Sequence, residues 1–413
     1  MELVFWICCG LDVHKQTVTA CLRIADKSGR IRKEIRTFGT MTEDLLVLHD
    51  WLRANAVTHV AMESTGVFWK PIYNLLEDSF TVLLVNARHV KAVPGRKTDV
   101  ADCEWIADLL AHGLLKGSFI PPREIRDLRD LTRYRKSLID ERVREVNRLH
   151  KLLQSADIKL SSVATDVMGV SGRKMLEALL EGNNANPEIL AELAKGRLRN
   201  KLPDLKRALV GRFRDHHRFL LEQILTHLDF LDESIEKISK EVVQRTSPFE
   251  SKIQLLSTIP GVSRRAAETL VAEIGVDMER FPSHGHLASW AGMCPGNNES
   301  AGKRKSGKTR KGDQWLRRSL IEMSWAASRT KGTYLNAFYH RLAKRRGAKK
   351  ANVAVGHSIL VSVYFILKFD VPYRDLGEDH FDKLNSAQIQ RYHVRRLERL
   401  GFKVTIEPLE AAA

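Results

Sequence analysis

The segment that decides the fold is Val4-Phe5-Trp6-Ile7-Cys8-Cys9-Gly10-Leu11-Asp12-Val13, an apolar run with one carboxylate near its end. Its β-branched and aromatic residues predict a strand. Two further strand-like runs, Thr17 to Ala25 and Ile31 to Phe38, follow after short polar turns. Because short turns join antiparallel strands, the three runs predict an antiparallel meander.

Helical and strand-like runs alternate after the meander. Helical spacing covers Thr42 to Ala54 and Val67 to Leu76, and apolar strands are predicted at Val57 to Met62 and Thr81 to Val85. A last helix is predicted from about Asp99 to His112. The resulting order βββαβαβα is that of an RNase H-like α/β fold.

Four carboxylates fall where this order of elements brings them together. Asp12 lies on the first strand and Glu63 ends the fourth, while Asp99 and Asp102 share one face at the start of the last helix. Taken singly, each is more commonly a turn or capping residue. Together they favour a Mg²⁺ site, because hard cations take oxygen ligands and converging carboxylates are costly unless neutralised.

The chain as a whole is strongly basic. Its 413 residues include 67 Lys and Arg against 50 Asp and Glu, a formal net charge of +17. This excess favours a polyanionic partner, although charge does not distinguish DNA from RNA. Five cysteines without C-x-x-C spacing indicate neither a disulfide framework nor a zinc site.

The apolar runs are short. Leu3 to Cys9 and Ile359 to Leu367 are the longest, and both fall below the roughly 20 residues that a membrane helix needs. We therefore expect no membrane span and no signal peptide, and a cytoplasmic location.

Changes in composition predict four parts. Residues 1–118 form the α/β catalytic domain, 119–250 a helical linker and coiled-coil region, 251–370 a mostly α C-terminal domain, and 371–413 a tail. A heptad pattern in the second part consists of Leu221, Ile224, Leu228, Leu231, Ile235, Ile238 and Val242. Its partner is either the earlier helix of the same chain or the same helix of another subunit.

Basic residues are concentrated before Asp99, along the helix after Pro122, and in the Lys/Arg/Gly-rich loop from Pro295 to Gly312. The candidate nucleic-acid contacts are Arg96, Lys97, Arg126, Arg129, Arg133, Lys303, Arg304, Lys308, Arg310, Lys311 and Arg317. A basic stripe on a helix is as commonly a solvated face as a phosphate-binding one.

Two shorter features have alternative interpretations. The turn around Gly261, between Ser257 and Ser263, resembles a helix-hairpin-helix turn that directs N–H groups at a phosphate, or is a plain helix connection. Ser300 lies in the flexible cationic loop, where Lys303 and Arg304 would balance charge developing in phosphoryl transfer. Alone, Ser300 is more commonly a turn residue than a nucleophile.

As an ordered set these motifs resemble the DEDD-type insertion-sequence transposases, the IS-one-ten family of bridge-RNA-guided recombinases. The resemblance rests on GLDVHK from Gly10, MESTG from Met62, KTDVADCEWIADLL from Lys97, IPGV from Ile259, and the stretch from Ala291 to Arg318. It implies a RuvC-like domain and a C-terminal transposase domain, with a coiled coil for assembly into a dimer or tetramer. The implied acidic tetrad is Asp12, Glu63, Asp99 and Asp102, and the implied catalytic serine is Ser300.

The resemblance also implies a mechanism. Ser300 would attack a DNA phosphate activated by Mg²⁺ at the tetrad, and a phosphoserine link would conserve the bond energy for strand exchange. A structured guide RNA would pair with donor and target DNA near the bacterial nucleoid. The family often has Gly after the serine, where this chain has Ala301, so Ser306 beside Gly307 is a second candidate.

Two other functions stay open from the residues. The carboxylates alone fit a RuvC-like, metal-dependent, structure-specific endonuclease that hydrolyses DNA without a covalent intermediate. A non-catalytic nucleic-acid-binding scaffold is the third possibility, and the four intact carboxylates count against it.

Overall fold

The computed structural model describes residues 3–26, 30–64, 66–86, 102–181, 186–296, 298–384 and 386–407, with the backbone alone at 298–300, 304 and 305. Asp99, Arg96 and Lys97 lie outside the described residues. The chain divides into two compact units, Met1–Ile120 and Pro121–Ala413. The first is a mixed α/β unit, and the second is mostly helical.

The first unit is built on a five-stranded sheet with the order β3-β2-β1-β4-β5. The strands are β1 (Ile7–Val13), β2 (Thr17–Ala25), β3 (Ile31–Gly39), β4 (His59–Glu63) and β5 (Thr81–Val85). The first three pair antiparallel, which confirms the predicted meander, and β4 lies parallel to β1 and β5. The functional consequence is that β1 and β4, whose ends carry Asp12 and Glu63, are direct neighbours.

Helices cover both faces of the sheet. The helices α1 (Thr42–Ala54) and α2 (Trp69–Leu76) contribute to the core that includes Cys9 and Leu11. The helix α3 (Asp102–Ala111) packs on the other face, against Cys8 and Ala61. Because successive side chains of a strand point to opposite faces, Asp12 and Glu63 lie on the face covered by α3.

The second unit begins with two long helices, α4 (Arg123–Ser155) and α9 (Asp215–Thr246), which pack along each other. Smaller elements between them are α5 (Leu160–Val163), α6 (Val170–Glu181), α7 (Pro187–Glu192), a 3₁₀ turn (Gly196–Lys201) and α8 (Leu202–Ala208). In α9, Leu228 and Leu231 are buried in cores shared with α4. The heptad pattern is therefore satisfied by the earlier helix of the same chain.

The remaining helices surround a central apolar one. They are α10 (Glu250–Ser257), α11 (Arg264–Ile274), α12 (His284–Trp290), α13 (Gln314–Ala327), α14 (Tyr334–Arg346), α15 (Ala348–Phe369), α16 (His380–Leu384) and α17 (Ser386–Arg399), with 3₁₀ turns at Ser247–Phe249 and Met278–Arg280. Among the described helices, α15 alone is long and apolar enough to cross a membrane, and 50% of its most apolar window is buried inside the structure. It packs against α10, α12, α13 and α14, as a core helix does.

The cationic stretch from Pro295 to Gly312 differs from the predicted flexible loop. It contains an antiparallel hairpin of β6 (Asn298–Ser300) and β7 (Lys303–Ser306), extended by a bridge between Pro295 and Thr309. Backbone pairing explains the difference, because a segment without an apolar core can still satisfy its N–H and C=O groups across two strands.

Candidate active centre and nucleic-acid interface

Asp12 and Glu63 occupy neighbouring positions at one edge of the sheet. The last registered pair between parallel β1 and β4 joins Leu11 to Met62, and each carboxylate is the next residue on its strand. Both side chains are partly exposed. The two acidic groups thus lie side by side where these parallel strands end, an edge at which open α/β sheets commonly bind ligands.

Gly10 lets α3 lie directly against β1. A Cβ atom at this position would be 2.3 Å from the carbonyl oxygen of Cys103 and 2.5 Å from the amide nitrogen of Ala107. Contacts this short are forbidden to any other residue, so the first turn of α3 approaches β1 at the glycine. Asp102 begins that turn, and Asp12 follows Gly10 by two residues on the same face of the strand.

The surroundings of Asp12 support this arrangement. Burial raises the pKa of the Cys103 thiol to about 11, and the negative charge of Asp12 contributes to the rise. His14 Nε2 lies 3.1 Å from Asp12 Oδ2. The sequence had assigned no role to His14, although its i+2 spacing from Asp12 places it on the same side of the strand.

The donor atoms at this edge suit a hard divalent cation. Asp12, Glu63 and Asp102 offer carboxylate oxygens, which Mg²⁺ prefers to nitrogen or sulfur. In the described part of the chain no three His, Cys, Asp or Glu side chains stand close enough to form a complete metal site. The predicted fourth member, Asp99, lies outside the described residues.

The hairpin that carries Ser300 is held at its base. Gly296 donates its N–H to the carbonyl of Lys308 at 2.8 Å. Arg317, on α13, donates through Nη1 to the carbonyl of Gly292 at 2.6 Å and to Thr309 Oγ1 at 2.7 Å. Ser300 pairs with Lys303 across the turn, so it lies at the tip of this hairpin.

The turn of the hairpin uses left-handed backbone at both central residues. Ala301 has φ +49° and Gly302 has φ +71°, the combination that two-residue hairpin turns of type I′ require. Glycine adopts this region freely, whereas alanine does so at a cost. Ala301 stands where the resembled family often has glycine, and its backbone conformation is one that favours glycine.

Several predicted cations remain available to a polyanion, and others have internal partners. Lys303, Lys308, Arg310 and Lys311 are exposed, and none forms an ion pair with a side chain that the structure describes. Arg317 instead braces the hairpin. The side chain of Arg304 is outside the description.

The arginine stripe of α4 has internal partners as well. Arg133 contacts both carboxylate oxygens of buried Glu273 and also Asp313, while Arg129 donates to the backbone of Ala272 and Glu273. Arg126 donates to the carbonyl of Pro121. Arg129 and Arg133 therefore pack α4 on α11 and α13, whereas Arg126 closes the start of its own helix. Phosphate contact by the three remains a prediction.

Gly261 is required for packing at the turn before α11. It has φ +85°, and a Cβ atom there would lie 2.4 Å from the amide nitrogen of Ala327 and 2.6 Å from the carbonyl oxygen of Met323. Close approach to α13 thus explains this glycine. A phosphate at the N-terminus of α11 remains a prediction.

Carboxylates at a strand edge of an α/β unit and a cationic hairpin on a helical unit are features expected of an enzyme that acts on nucleic-acid phosphodiesters. Two family models match in the same order. A DEDD transposase model of IS110 elements covers residues 9–157, and a transposase model of the IS116/IS110/IS902 family covers residues 253–340. The chain belongs to this family of insertion-sequence transposases, and its enzyme class is DNA transposase or recombinase.

Curated relatives agree with this membership. The chain is 25% identical over 267 residues to the transposase for insertion sequence element IS1328 of Yersinia enterocolitica, covering 64% of this chain and 69% of that protein. It is 26% identical over 275 residues to the insertion element IS116 uncharacterized 44.8 kDa protein of Streptomyces clavuligerus, covering 57% and 65%. A pilin gene-inverting protein of Moraxella bovis is 26% identical over 136 residues, or 32% of this chain and 42% of that protein.

Proposed function

We propose that the chain cuts and exchanges DNA strands during movement of an insertion sequence, through a covalent phosphoserine formed by Ser300. The observation that carries this proposal is the neighbouring placement of Asp12 and Glu63 beside α3, in a chain that also presents a serine at a cationic hairpin tip. The first feature suits phosphate activation, and the second supplies a nucleophile and positive charge.

The covalent step conserves the phosphodiester. Ser300 Oγ forms a bond to phosphorus, the bond from phosphorus to one deoxyribose oxygen breaks, and the serine proton passes to that leaving oxygen. Attack by a deoxyribose hydroxyl of the new strand on the phosphoserine reverses these changes and frees Ser300. Exposed Lys303 and Lys308 would stabilise negative charge on the phosphate oxygens.

Asp12, Glu63, Asp102 and Asp99 are the residues that would hold Mg²⁺. Bound there, the ion would act as a Lewis acid on a phosphate oxygen. The negative edge of the sheet would otherwise repel DNA, so its neutralisation also favours substrate approach. The hydrogen bond from His14 would orient Asp12.

Guide RNA and assembly form the second part of the proposal. The net charge of +17 suits a polyanionic partner without choosing between DNA and RNA, and the guide RNA follows from the resemblance to bridge-RNA-guided recombinases. A structured RNA that pairs with donor and target DNA would then choose the sequence, and a homodimer or tetramer would bring strands together. The gene inversion in the name of the Moraxella bovis relative is consistent with site-selected strand exchange.

The test is a denaturing gel that detects a protein–DNA adduct after incubation with Mg²⁺, the DNA ends of the element and the flanking RNA. Wild type should give an adduct, and Ser300→Ala and Asp12→Asn should not. Ser306→Ala is the matched control on the same hairpin and should retain the adduct. Omission of the RNA should abolish the adduct without unfolding the protein.

The competing function is a hydrolytic RuvC-like endonuclease, which needs the carboxylates and no serine. DNA cutting without an adduct, unchanged in Ser300→Ala and lost in Asp12→Asn, would establish hydrolysis and refute the covalent step. Loss of the adduct in Ser306→Ala, with the adduct retained in Ser300→Ala, would identify Ser306 as the nucleophile.

A further inference from the structure

A large open groove lies between the cationic stretch from Pro295 to Gly312, here called the hairpin segment, and the junction of α14 with α15. It has a volume of about 1250 Å³, which exceeds the roughly 300–1,000 Å³ of ordinary small-molecule pockets. Apolar side chains on its surface include Met293, Val353 and Val361. Its size and open shape suit an extended ligand.

Positive charge lines the groove. Lys308 belongs to the hairpin segment, whereas Arg346, Lys349 and Lys350 come from the α14–α15 junction. All four are exposed, and none forms an ion pair with a side chain in the described ranges. No acidic side chain is among the described residues that line the groove. The groove therefore attracts an anion at more than one point along its length.

Two aromatic rings border the same groove. Tyr334 and Phe338 are half-buried, with ring centroids 5.8 Å apart and planes inclined by 11°. Phe381 of α16 stacks on both rings, at 5.2 Å from Tyr334 and 5.8 Å from Phe338. This support holds the rings in place without occupying the groove, so an aromatic platform stands beside the cations.

We propose that this groove binds a single strand of nucleic acid. Its phosphates would contact Lys308, Arg346, Lys349 and Lys350, and an unpaired base would stack on Tyr334 or Phe338. Cationic side chains interleaved with aromatic rings are typical of single-strand binding, since a duplex keeps its bases paired and out of reach. The inference deepens the proposed function, because a strand bound here passes beside the hairpin segment that carries Ser300.

The test measures binding of a DNA strand under conditions in which the strand is not cut. The full chain with Ser300→Ala, in EDTA, is titrated into a fluorescein-labelled dT12 strand and into the matched dT12·dA12 duplex over a range of salt concentrations. The groove variant is Lys349→Gln/Lys350→Gln. The matched control is Lys344→Gln/Arg345→Gln, which removes the same charge from exposed residues of the same basic run that do not line the groove.

The groove variant should bind the single strand at least tenfold more weakly, and the control less than threefold. Loss of two phosphate contacts should also reduce the slope of log K against log salt by about 1.4. Phe338→Leu should weaken binding about tenfold and leave the salt slope unchanged, because stacking releases no counterions. A strand with one 5-iododeoxyuridine should cross-link to Tyr334 or Phe338.

Three results would overturn the inference. They are equal losses of dT12 affinity in the groove and control variants, cross-links only outside the groove, or a duplex that binds more tightly than dT12 and loses as much affinity in the groove variant. Failure of the proposed function would appear differently, as absence of the DNA adduct in a protein whose groove still binds dT12. A protein that forms the adduct, but whose dT12 affinity is unchanged by the groove substitutions, would refute this inference and leave the proposed function intact.

Discussion

Arg133 and Glu273, which lie 140 residues apart in the chain, form a two-point ion pair between α4 and α11. Arg133 Nε donates to Oε1 at 2.8 Å and Nη2 to Oε2 at 2.7 Å. Glu273 is fully buried. Burial raises the pKa of its carboxyl group, and the Arg133 guanidinium opposes that rise.

Glu273→Gln should therefore destabilise the second unit strongly. The substitution removes the buried carboxylate that faces Arg129 and Arg133, and Arg133 alone keeps a second carboxylate partner, Asp313. Removal of one partner of a buried ion pair costs about 3 kcal/mol or more. Urea unfolding measures the loss. The matched control is Glu322→Gln, which breaks a half-exposed pair with Lys136 and should cost less than about 1 kcal/mol. Equal losses would contradict the structural role.

Arg317→Lys should slow adduct formation while leaving dT12 binding within about twofold. Lysine cannot reproduce the fixed geometry with which the guanidinium reaches Gly292 and Thr309, so the base of the hairpin loosens. We expect a loss of about 1–2 kcal/mol in stability as well. Arg318→Lys is the control, because Arg318 pairs with Asp140 on α4 and does not brace the hairpin. Identical adduct rates in the two variants would exclude the bracing role.

Ala301→Gly should relieve backbone strain at the hairpin tip. Alanine in the left-handed region costs about 1 kcal/mol, so the thermal midpoint should rise or the adduct should form faster. Gly302→Ala makes the opposite change at φ +71°, where an added Cβ meets nothing within 4 Å. It should therefore lower the same quantities through backbone strain alone. Changes of the same sign in both variants would disprove the turn geometry.

The stability of the second unit should fall below about pH 6.5 through His217. Its Nδ1 accepts a hydrogen bond from the N–H of Arg214 at the start of α9, which requires the neutral ring. Burial, with His216 and Arg214 nearby, lowers its pKa. Since the unfolded chain then binds the proton more tightly, stability is full above the unfolded pKa and decreases as pH falls towards the folded pKa.

His217→Gln provides the control for this pH dependence. Glutamine at the third helical position still accepts from the capping N–H and does not titrate. Thermal midpoints of wild type and variant, compared at pH 7.5 and 5.5, should show a larger drop for wild type. Parallel curves would mean that another group controls the acid sensitivity.

The elements closest to the carboxylates could be predicted from the sequence. The sequence predicts the strand Thr81–Val85 with the bounds that the structure has. It also places Asp12 and Glu63 on two strands, which the structure pairs in parallel. Short β-rich apolar runs bounded by polar turns are local signals, so they can be read from one sequence.

Long-range partners were not predictable in this way. The stripe containing Arg129 and Arg133 resembles a phosphate-binding face until Glu273 is brought against it from 140 residues away. The hairpin around Ser300 was likewise missed, because its strands carry no apolar alternation and depend on backbone pairing. In both cases the partner of the group is remote in the sequence or is the main chain itself.

Gly10 has no functional group, yet its missing methyl group allows α3 to settle beside the strand that carries Asp12. The acidic centre therefore depends on the absence of a side chain at position 10 as much as on its carboxylates. A mutational survey that replaced only polar residues would leave this dependence invisible. It also limits how this chain can be redesigned: the carboxylates can be exchanged by experiment, whereas a larger residue at position 10 would displace an entire helix.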